Sequence, residues 1–412
     1  MSKRYPGGYI FRSNPTIVGP TNGEGGSAPG VWTLEQASYY TKLATWPKPI
    51  IPKTLYTWGA NGYGQLGQND TVDRSSPTQV GSLSTWLNIT GGYYHAVASK
   101  SDGTLWSWGR NDWGQLGKND LVYRSSPVQI GALTTWSNIL AGGSSSYAIK
   151  TDGTLWTWGR NSNGNLGQND TIRRSSPVQV GSLTNWSSIS ALSYTPLAIK
   201  TDGTLWAWGA NGAGQVGDNT NVARSSPVQI GSSTDWSNCS SQSHSLAVKT
   251  GGTLWSWGQN SSGQLGQNDT ILRSSPTQVG ALTNWSKVST GLSSSLAIKT
   301  DGTIWSWGQN QFGALGQNNL TYLSSPVQIG SLTTWSKLNA GYYGGYGIKT
   351  DGTLWAWGNN AKGAVGDNTV INRSSPVQIG ALTTWLSAPA ANYVVVGALN
   401  APSLEASNLW AW

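Results

Sequence analysis

The dipeptide Trp-Gly recurs at Trp58, Trp108, Trp158, Trp208, Trp257, Trp307 and Trp357, at spacings of 50, 50, 50, 49, 50 and 50 residues. A period of this length confines the chain to a repeat architecture, in which each unit buries its apolar face against the next. One unit reads LWTWGRNSNGNLGQNDTIRRSSPVQVGSLTNWSSISALSYTPLAIKTDG, Leu155 to Gly203. Four of its segments have strand character: Leu155–Trp158, Pro177–Val180, Trp186–Ile189 and Leu197–Lys200. The T-D-G step after the fourth is an Asp-Gly hairpin signal, and clusters of Gly, Asn, Asp, Ser and Pro separate the others. Four strands per unit, repeated radially, predict an all-β fold: a seven-bladed β-propeller of four-stranded antiparallel blades. A linear solenoid is the alternative, and it would normally need atypical capping repeats at both ends.

Composition agrees with this reading. The chain holds 54 Gly and 25 Trp but one Met and two Phe, and only 10% of its residues are charged, so it is poor in helix formers and rich in turn and strand formers. The link G-x-N-x-x-G-x-L-G (Gly109–Gly117) supplies positions free to take positive φ. The Asn at Asn61, Asn111, Asn161, Asn211, Asn260, Asn310 and Asn360 is expected to set a turn through local backbone bonds, as is the Q-N-D step of Gln68–Asp70.

Residues 1–50 stand outside the repeat and residues 51–412 are assigned to the propeller. Residues 13–30 form a Gly/Pro/Ser-rich stretch that would not fold alone. Thr33 and Gln36 then make a capping-box spacing, Trp32 can act as staple, and Pro47 ends the segment, so the arm is expected to be extended with one short helix over about 34–44. Its apolar residues Trp32, Leu34, Tyr40, Leu43 and Trp46 call for a partner surface. Ring closure has two candidates for one slot, because the L-x-x-W type segment occurs at both Leu55–Trp58 and Leu409–Trp412. The C-terminal copy, which directly follows its partner strand, is favoured by a little. The other would be an exposed edge available to a neighbouring chain.

The pattern W-G-x-N-x-x-G-Q-L-G, then S-P-x-x-V/I, then Trp, then A-I-K-T-D-G resembles the regulator-of-chromosome-condensation repeat family over residues 54–399. The resemblance implies a seven-bladed propeller. The Gly-x-x-His-Ser stretch typical of that family is present in part: His95 and His244 occupy the position that Ser145, Thr195, Ser294 and Gly344 fill elsewhere. The arm, through Gly30, Trp32–Gln36 and Trp46–Pro47, resembles a stretch found in structural proteins of marine bacteriophages, which implies a virion tail, fibre or decoration protein.

Catalysis needs groups within hydrogen-bond reach that differ from the scaffold. His95 and His244 lie three units apart, and the recurrent Asp102, Asp152, Asp202, Asp301 and Asp351 are turn residues. No zinc, calcium or phosphate-loop pattern is present, so the chain is expected to be no enzyme, with no cofactor and no metal. Arg74, Arg124, Arg174, Arg224, Arg273 and Arg373 precede S-S-P in six units, with Leu323 breaking the set. They could form a positive ring for phosphate or acidic glycan, but bonds to backbone carbonyls or neighbouring blades are the preferred reading. Lys150, Lys200, Lys249, Lys299 and Lys349 are expected to pair with turn Asp residues or to be solvated.

In so uniform a scaffold, residues that break the pattern are free of fold constraints. Two groups do so: Tyr63, Arg110, Asp112, Trp113, Arg160, Gln311, Phe312 and Lys362 in the G-x-N-x-x-G loops, and Tyr93, Tyr94, His95, Tyr194, Tyr342 and Tyr343 before A-I-K. Exposed aromatic rings suit stacking on sugars or anchoring a protein. The candidate binding set is Tyr93, Tyr94, His95, Trp113, Phe312, Tyr342 and Tyr343; repeat drift is the competing explanation.

The formal charge of +8 is a thin excess over 412 residues, and no run of Lys and Arg marks a nucleic-acid partner. Cys239 takes a position filled by Ile89, Ile139, Ile189, Val288 and Leu338, as a small hydrophobe. No apolar run reaches membrane-spanning length, and the N-terminus lacks a secretory apolar core. The expected protein is made in a host cytoplasm and belongs to a virion. It docks on other virion proteins through residues 1–50, binds a host surface glycan or receptor, and is a homo-oligomer or part of a larger assembly. The alternative is a free protein-binding propeller of regulator or inhibitor type. Exchange-factor activity would rely on a wedge-like insertion that these repeats lack.

Overall fold

The computed structural model describes residues 53–82 and 85–387, and the backbone alone of residues 394–400. Every described element except one 3-10 turn, Gln311–Gly313, is a β-strand. A blade consists of Trp86–Gly91, His95–Lys100, Leu105–Gly109 and Arg124–Gln129, antiparallel and adjacent in chain order. Five more follow the same plan, starting at Trp136, Trp186, Trp236, Trp285 and Trp335. We number these blades I to VI. Each begins on the W-x-x-I strand of one unit and ends on the R-S-S-P strand of the next, so blade and repeat are out of phase by two strands.

The remaining sheet is a composite with the order Arg74–Gln79, Thr54–Gly59, Val394–Asn400, Trp385–Ser387. Leu55 lies opposite Leu399 and Trp58 opposite Val395. Two expectations are corrected here. The anticipated seven like blades are six continuous ones, with both ends of the repeat region sharing the other sheet. The closing strand is the N-terminal copy, Thr54–Gly59, because its own R-S-S-P partner follows it after one loop and holds it in register. No α-helix occurs among the described residues, and both the helix expected over 34–44 and the copy Leu409–Trp412 lie outside them.

Local chemistry explains the hairpins. In blade I, Gly103 takes φ 79°, and a Cβ there would meet the Thr134 carbonyl oxygen at 1.9 Å. Asp102 Oδ1 accepts from the Thr104 amide at 2.9 Å and its hydroxyl at 2.6 Å, and the Trp106 indole donates to that hydroxyl at 2.8 Å. The Asn of each G-x-N-x-x-G loop is structural as expected: Asn61 Nδ2 donates to the Asp70 carbonyl at 3.1 Å, and its Oδ1 accepts from the Leu66 amide at 2.9 Å.

The cores lie between blades. One cluster joins Leu55, Leu66 and Val80 to Trp86, Ile89, Ala96, Ala98 and Trp108 of blade I. Trp86 meets Trp106 and Trp108 edge-on, at 6.1 and 6.0 Å between centroids. The buried second Trp of L-W-x-W reaches the preceding blade, as where Trp108 Nε1 donates to the Gln65 carbonyl at 2.9 Å. Backbone bonds run between blades as well: the Asn69 amide donates to Ser125 at 2.7 Å, and the Asn368 amide closes onto Ser75 at 2.8 Å. Inner strands of neighbouring blades also touch, as where Thr90 Oγ1 accepts from the Ala141 amide at 2.6 Å, so the W-x-x-I strands line the central channel.

Candidate binding face

The hairpin loops that leave the inner strands end beside the G-x-N-x-x-G loops. The Arg110 amide donates to the Tyr94 carbonyl at 2.9 Å, and the Arg160 amide to Ser144 at 3.0 Å. The two groups of pattern-breaking residues, about fifteen to thirty positions apart in sequence, are thereby brought together at one end of the propeller.

Two arginines there are held between aromatic rings. The Arg110 guanidinium lies 4.9 Å from the Tyr63 ring centre and 5.5 Å from that of Tyr94, and it pairs with Asp112. The Tyr123 hydroxyl also donates to Asp112, whose carboxylate holds that phenol above its ordinary pKa. Arg160 lies 4.9 Å from Trp113 and 4.8 Å from Tyr194, and it donates to the Tyr194 hydroxyl at 2.9 Å. Each such contact contributes about 0.5–1 kcal/mol where exposed.

Tyr93 crosses the channel mouth. It belongs to blade I, yet its hydroxyl donates to Ser193 Oγ of blade III at 3.0 Å, and its ring meets Tyr194 at 6.3 Å and Tyr342 of blade VI at 6.4 Å. Tyr342 continues to Tyr343 at 4.7 Å, and Tyr343 to Phe312 at 5.4 Å. Phe312 itself sits at φ 64°, in the left-handed region, a strained backbone for an aromatic residue. A chain of ring contacts therefore spans several blades, with every member half-buried.

His95 does not belong to this face. It is 1% exposed, its Nε2 lies 2.9 Å from Ser146 Oγ of blade II, and burial pushes its pKa down to about 3. His244 repeats the arrangement with Ser295 Oγ at 2.7 Å, and burial pushes it down to about 3 as well. Both are neutral links between blades. The sequence reading missed Tyr123 and Ser193; Tyr123 could have been found, since its register varies among units, with Asp73, Arg173, Ala223, Leu272, Tyr322 and Asn372 in the other six.

The recurrent arginines bond within their own loops. Arg74, Arg124, Arg174 and Arg273 pair with the Asp four positions earlier, at 2.6, 2.8, 2.6 and 2.8 Å. Arg224 and Arg373 reach Asp218 and Asp367, six positions earlier, both at 2.5 Å. The unit with Leu323 in place of Arg has Asn319 in place of Asp, so both charges are absent together. Backbone bonding is also present, as from Arg74 to the Val72 carbonyl at 2.8 Å.

The A-I-K lysines depart from expectation by lying over indoles. Lys100, Lys200, Lys299 and Lys349 sit 3.6 Å from the first Trp of the following L-W-x-W, and Lys150 sits at 3.7 Å. Lys249 is the exception, 5.1 Å from Trp255 and drawn to Asp235 at 3.1 Å. Cys239 packs at the edge of an apolar core, and desolvation pushes its thiol up to about 12. Among the described residues no group of three His, Cys, Asp or Glu could hold a metal ion, and no helix is long and apolar enough to cross a membrane. The docking residues Trp32, Leu34, Tyr40, Leu43 and Trp46 lie outside the described residues.

The profile of the regulator of chromosome condensation (RCC1) repeat matches residues 54–99, 102–149, 152–193, 202–248, 251–298, 301–344 and 351–396. Among solved structures, human WBSCR16 is 17% identical with a TM-score of 0.76, covering 84% of this chain and 98% of its own. Yeast RCC1 (Prp20), solved with Kap60 bound to it, is 20% identical with a TM-score of 0.77, covering 86% of this chain and 90% of its own. A second structure of Prp20p from Saccharomyces cerevisiae, described together with its binding to Gsp1p and histones, has the same identity and TM-score. At these identities the likeness is one of fold. A sequence comparison with curated proteins returned no match.

Proposed function

Because the chain belongs to the regulator of chromosome condensation repeat family, we propose that it is a protein-binding propeller of regulator type, which takes its partner on the aromatic and arginine face. The observation that carries this reading is the convergence of residues that break the repeat. Ten such residues come from different blades yet gather at one end in two clusters, Tyr63, Tyr94 and Arg110 in one and Tyr93, Trp113, Arg160, Tyr194, Phe312, Tyr342 and Tyr343 in the other, adjacent through the Tyr93–Tyr94 peptide. Tyr, Trp and Arg are the residues that dominate binding energy at protein interfaces. Here the rings and guanidiniums hold one another in place, so little side-chain entropy remains to be lost on association. The yeast relative solved with Kap60 supports a protein as partner. The placement on a virion draws no support from these relatives, and its docking arm lies outside the described residues.

The test is crosslinking from a photoreactive residue at position 343 in the producing cells, followed by affinity measurement with the captured protein. Tyr94→Ala, Trp113→Ala and Tyr343→Ala together are expected to weaken that complex about a hundredfold or more, at about 1–2 kcal/mol per anchor, with a cooperative melting transition retained at a somewhat lower temperature. Undiminished affinity in the triple variant overturns the assignment.

A further inference from the structure

The inner strands carry a second departure from the repeat, within the channel and away from the tyrosines. Two residues after the W-x-x-I tryptophan stand Asn88, Asn138, Ser188, Asn238 and Ser387 in five sheets, but Lys287 and Lys337 in blades V and VI. Lys287 Nζ donates to the Ser336 carbonyl of the next inner strand at 2.7 Å, and Lys337 Nζ to that of Leu386. Each ammonium group thus uses one of its three donors on a neutral carbonyl. None of the seven inner strands contains an acidic residue. Lys53, bridged to Thr85, is close enough to act on Lys337 as a third positive charge. Partial desolvation, then Lys287 and Lys53, hold Lys337 below the ordinary lysine pKa.

A cavity of about 260 Å³ opens between the first two strands of blade VI and the composite sheet. Lys287, Lys337, Asn339 and Ser387 give it a polar, cationic side, and Leu338, Tyr346 and Ile348 an apolar one.

We propose that this cavity binds a small organic carboxylate, with its apolar body against Leu338 and Ile348 and its carboxylate between the ammonium groups of Lys287 and Lys337. Among the described residues no carboxylate pairs with either ammonium group, and one anion would bring the two like charges into favourable contact through charge-assisted hydrogen bonds. The small size and mixed lining of the cavity select a single carboxylate on a compact hydrocarbon body. Lys337 lies within the strand Trp335–Ala340 and Tyr342 in the turn beyond its end, so this site lies apart from the protein-binding face.

The probe is benzoate, with neutral benzamide as its shape-matched control, titrated into the full chain at constant ionic strength by calorimetry and ligand-observed NMR. Saturable benzoate binding is expected, with benzamide about tenfold weaker or worse. The variant Lys287→Asn/Lys337→Asn installs the residue already present at this register in blades I, II and IV. It is expected to weaken benzoate binding about tenfold, whereas Lys287→Arg/Lys337→Arg retains it. Should the asparagine pair lose its melting transition, Lys337→Asn alone carries the comparison. Equal binding of benzamide, unchanged binding by the folded asparagine variant, or no saturable binding overturns the proposal.

Discussion

Trp58 donates its indole N–H to the carbonyl of Ala364 at 3.0 Å, joining residues 306 positions apart in the chain. The bond has the same form as the one from Trp108 to Gln65 at 2.9 Å, but it closes the composite sheet onto blade VI. The two acceptors differ in one respect. Ala364 also accepts from the Tyr346 hydroxyl at 3.0 Å, whereas Trp108 is the only side-chain donor to the Gln65 carbonyl among the described residues.

That difference sets an order of stability. Trp108→Phe orphans a buried carbonyl and is expected to cost about 1–3 kcal/mol, beyond any loss of packing. Trp58→Phe leaves Tyr346 in place and is expected to cost about 0.5–1.5 kcal/mol on the same count. Urea denaturation of the two variants measures the gap, and an equal loss would mean that the second donor contributes nothing.

The buried histidines make stability depend on pH. Their folded pKa values are pushed down to about 3, below the unfolded value near 6.5. The unfolded chain therefore binds more protons across this window. Their contribution is fully present above about pH 6.5 and is lost progressively as pH falls towards 3. From pH 7 to 5 the two histidines together are expected to remove roughly 4 kcal/mol. His95→Ser with His244→Ser, the residue found at Ser145 and Ser294, should flatten this slope in calorimetric melts. An unchanged slope would show that other groups set it.

The loop ion pairs should couple weakly. Arg174 and Asp170 lie 2.6 Å apart with side chains 24% and 30% exposed, so solvent screens much of their attraction. A double-mutant cycle with Arg174→Leu and Asp170→Asn, the pair that Leu323 and Asn319 already represent, is expected to give about 0.5–1 kcal/mol. Thermal denaturation of the four proteins measures it. A coupling near zero would leave the joint loss in that unit without an energetic reason.

Much of the fold was legible because its chemistry is local. The T-D-G turn, the G-x-N-x-x-G loop and the alternating strands each depend on residues within about a dozen positions, and every unit displays them again. The roles of the histidines and lysines were not legible, because their partners belong to other strands or blades. His95 finds Ser146 of the next blade, and Lys100 finds both Trp86 and Trp106. Closure was misread because Leu55–Trp58 and Leu409–Trp412 look alike as segments, and only the register against Arg74–Gln79 separates them.

The amino-acid sequence by itself determined the repeat, the strand content and the turn chemistry, since period, alternation and glycine placement act within a unit. It also marked which residues break the pattern. The tertiary structure decided which of those residues meet. Tyr93, Tyr194 and Tyr342 are 101 and 148 positions apart, and Lys287 and Lys337 are 50 apart. They become neighbours because radial packing places equivalent loops and strands side by side around one axis. That packing put Tyr93 on the face and buried its neighbour two residues on, His95.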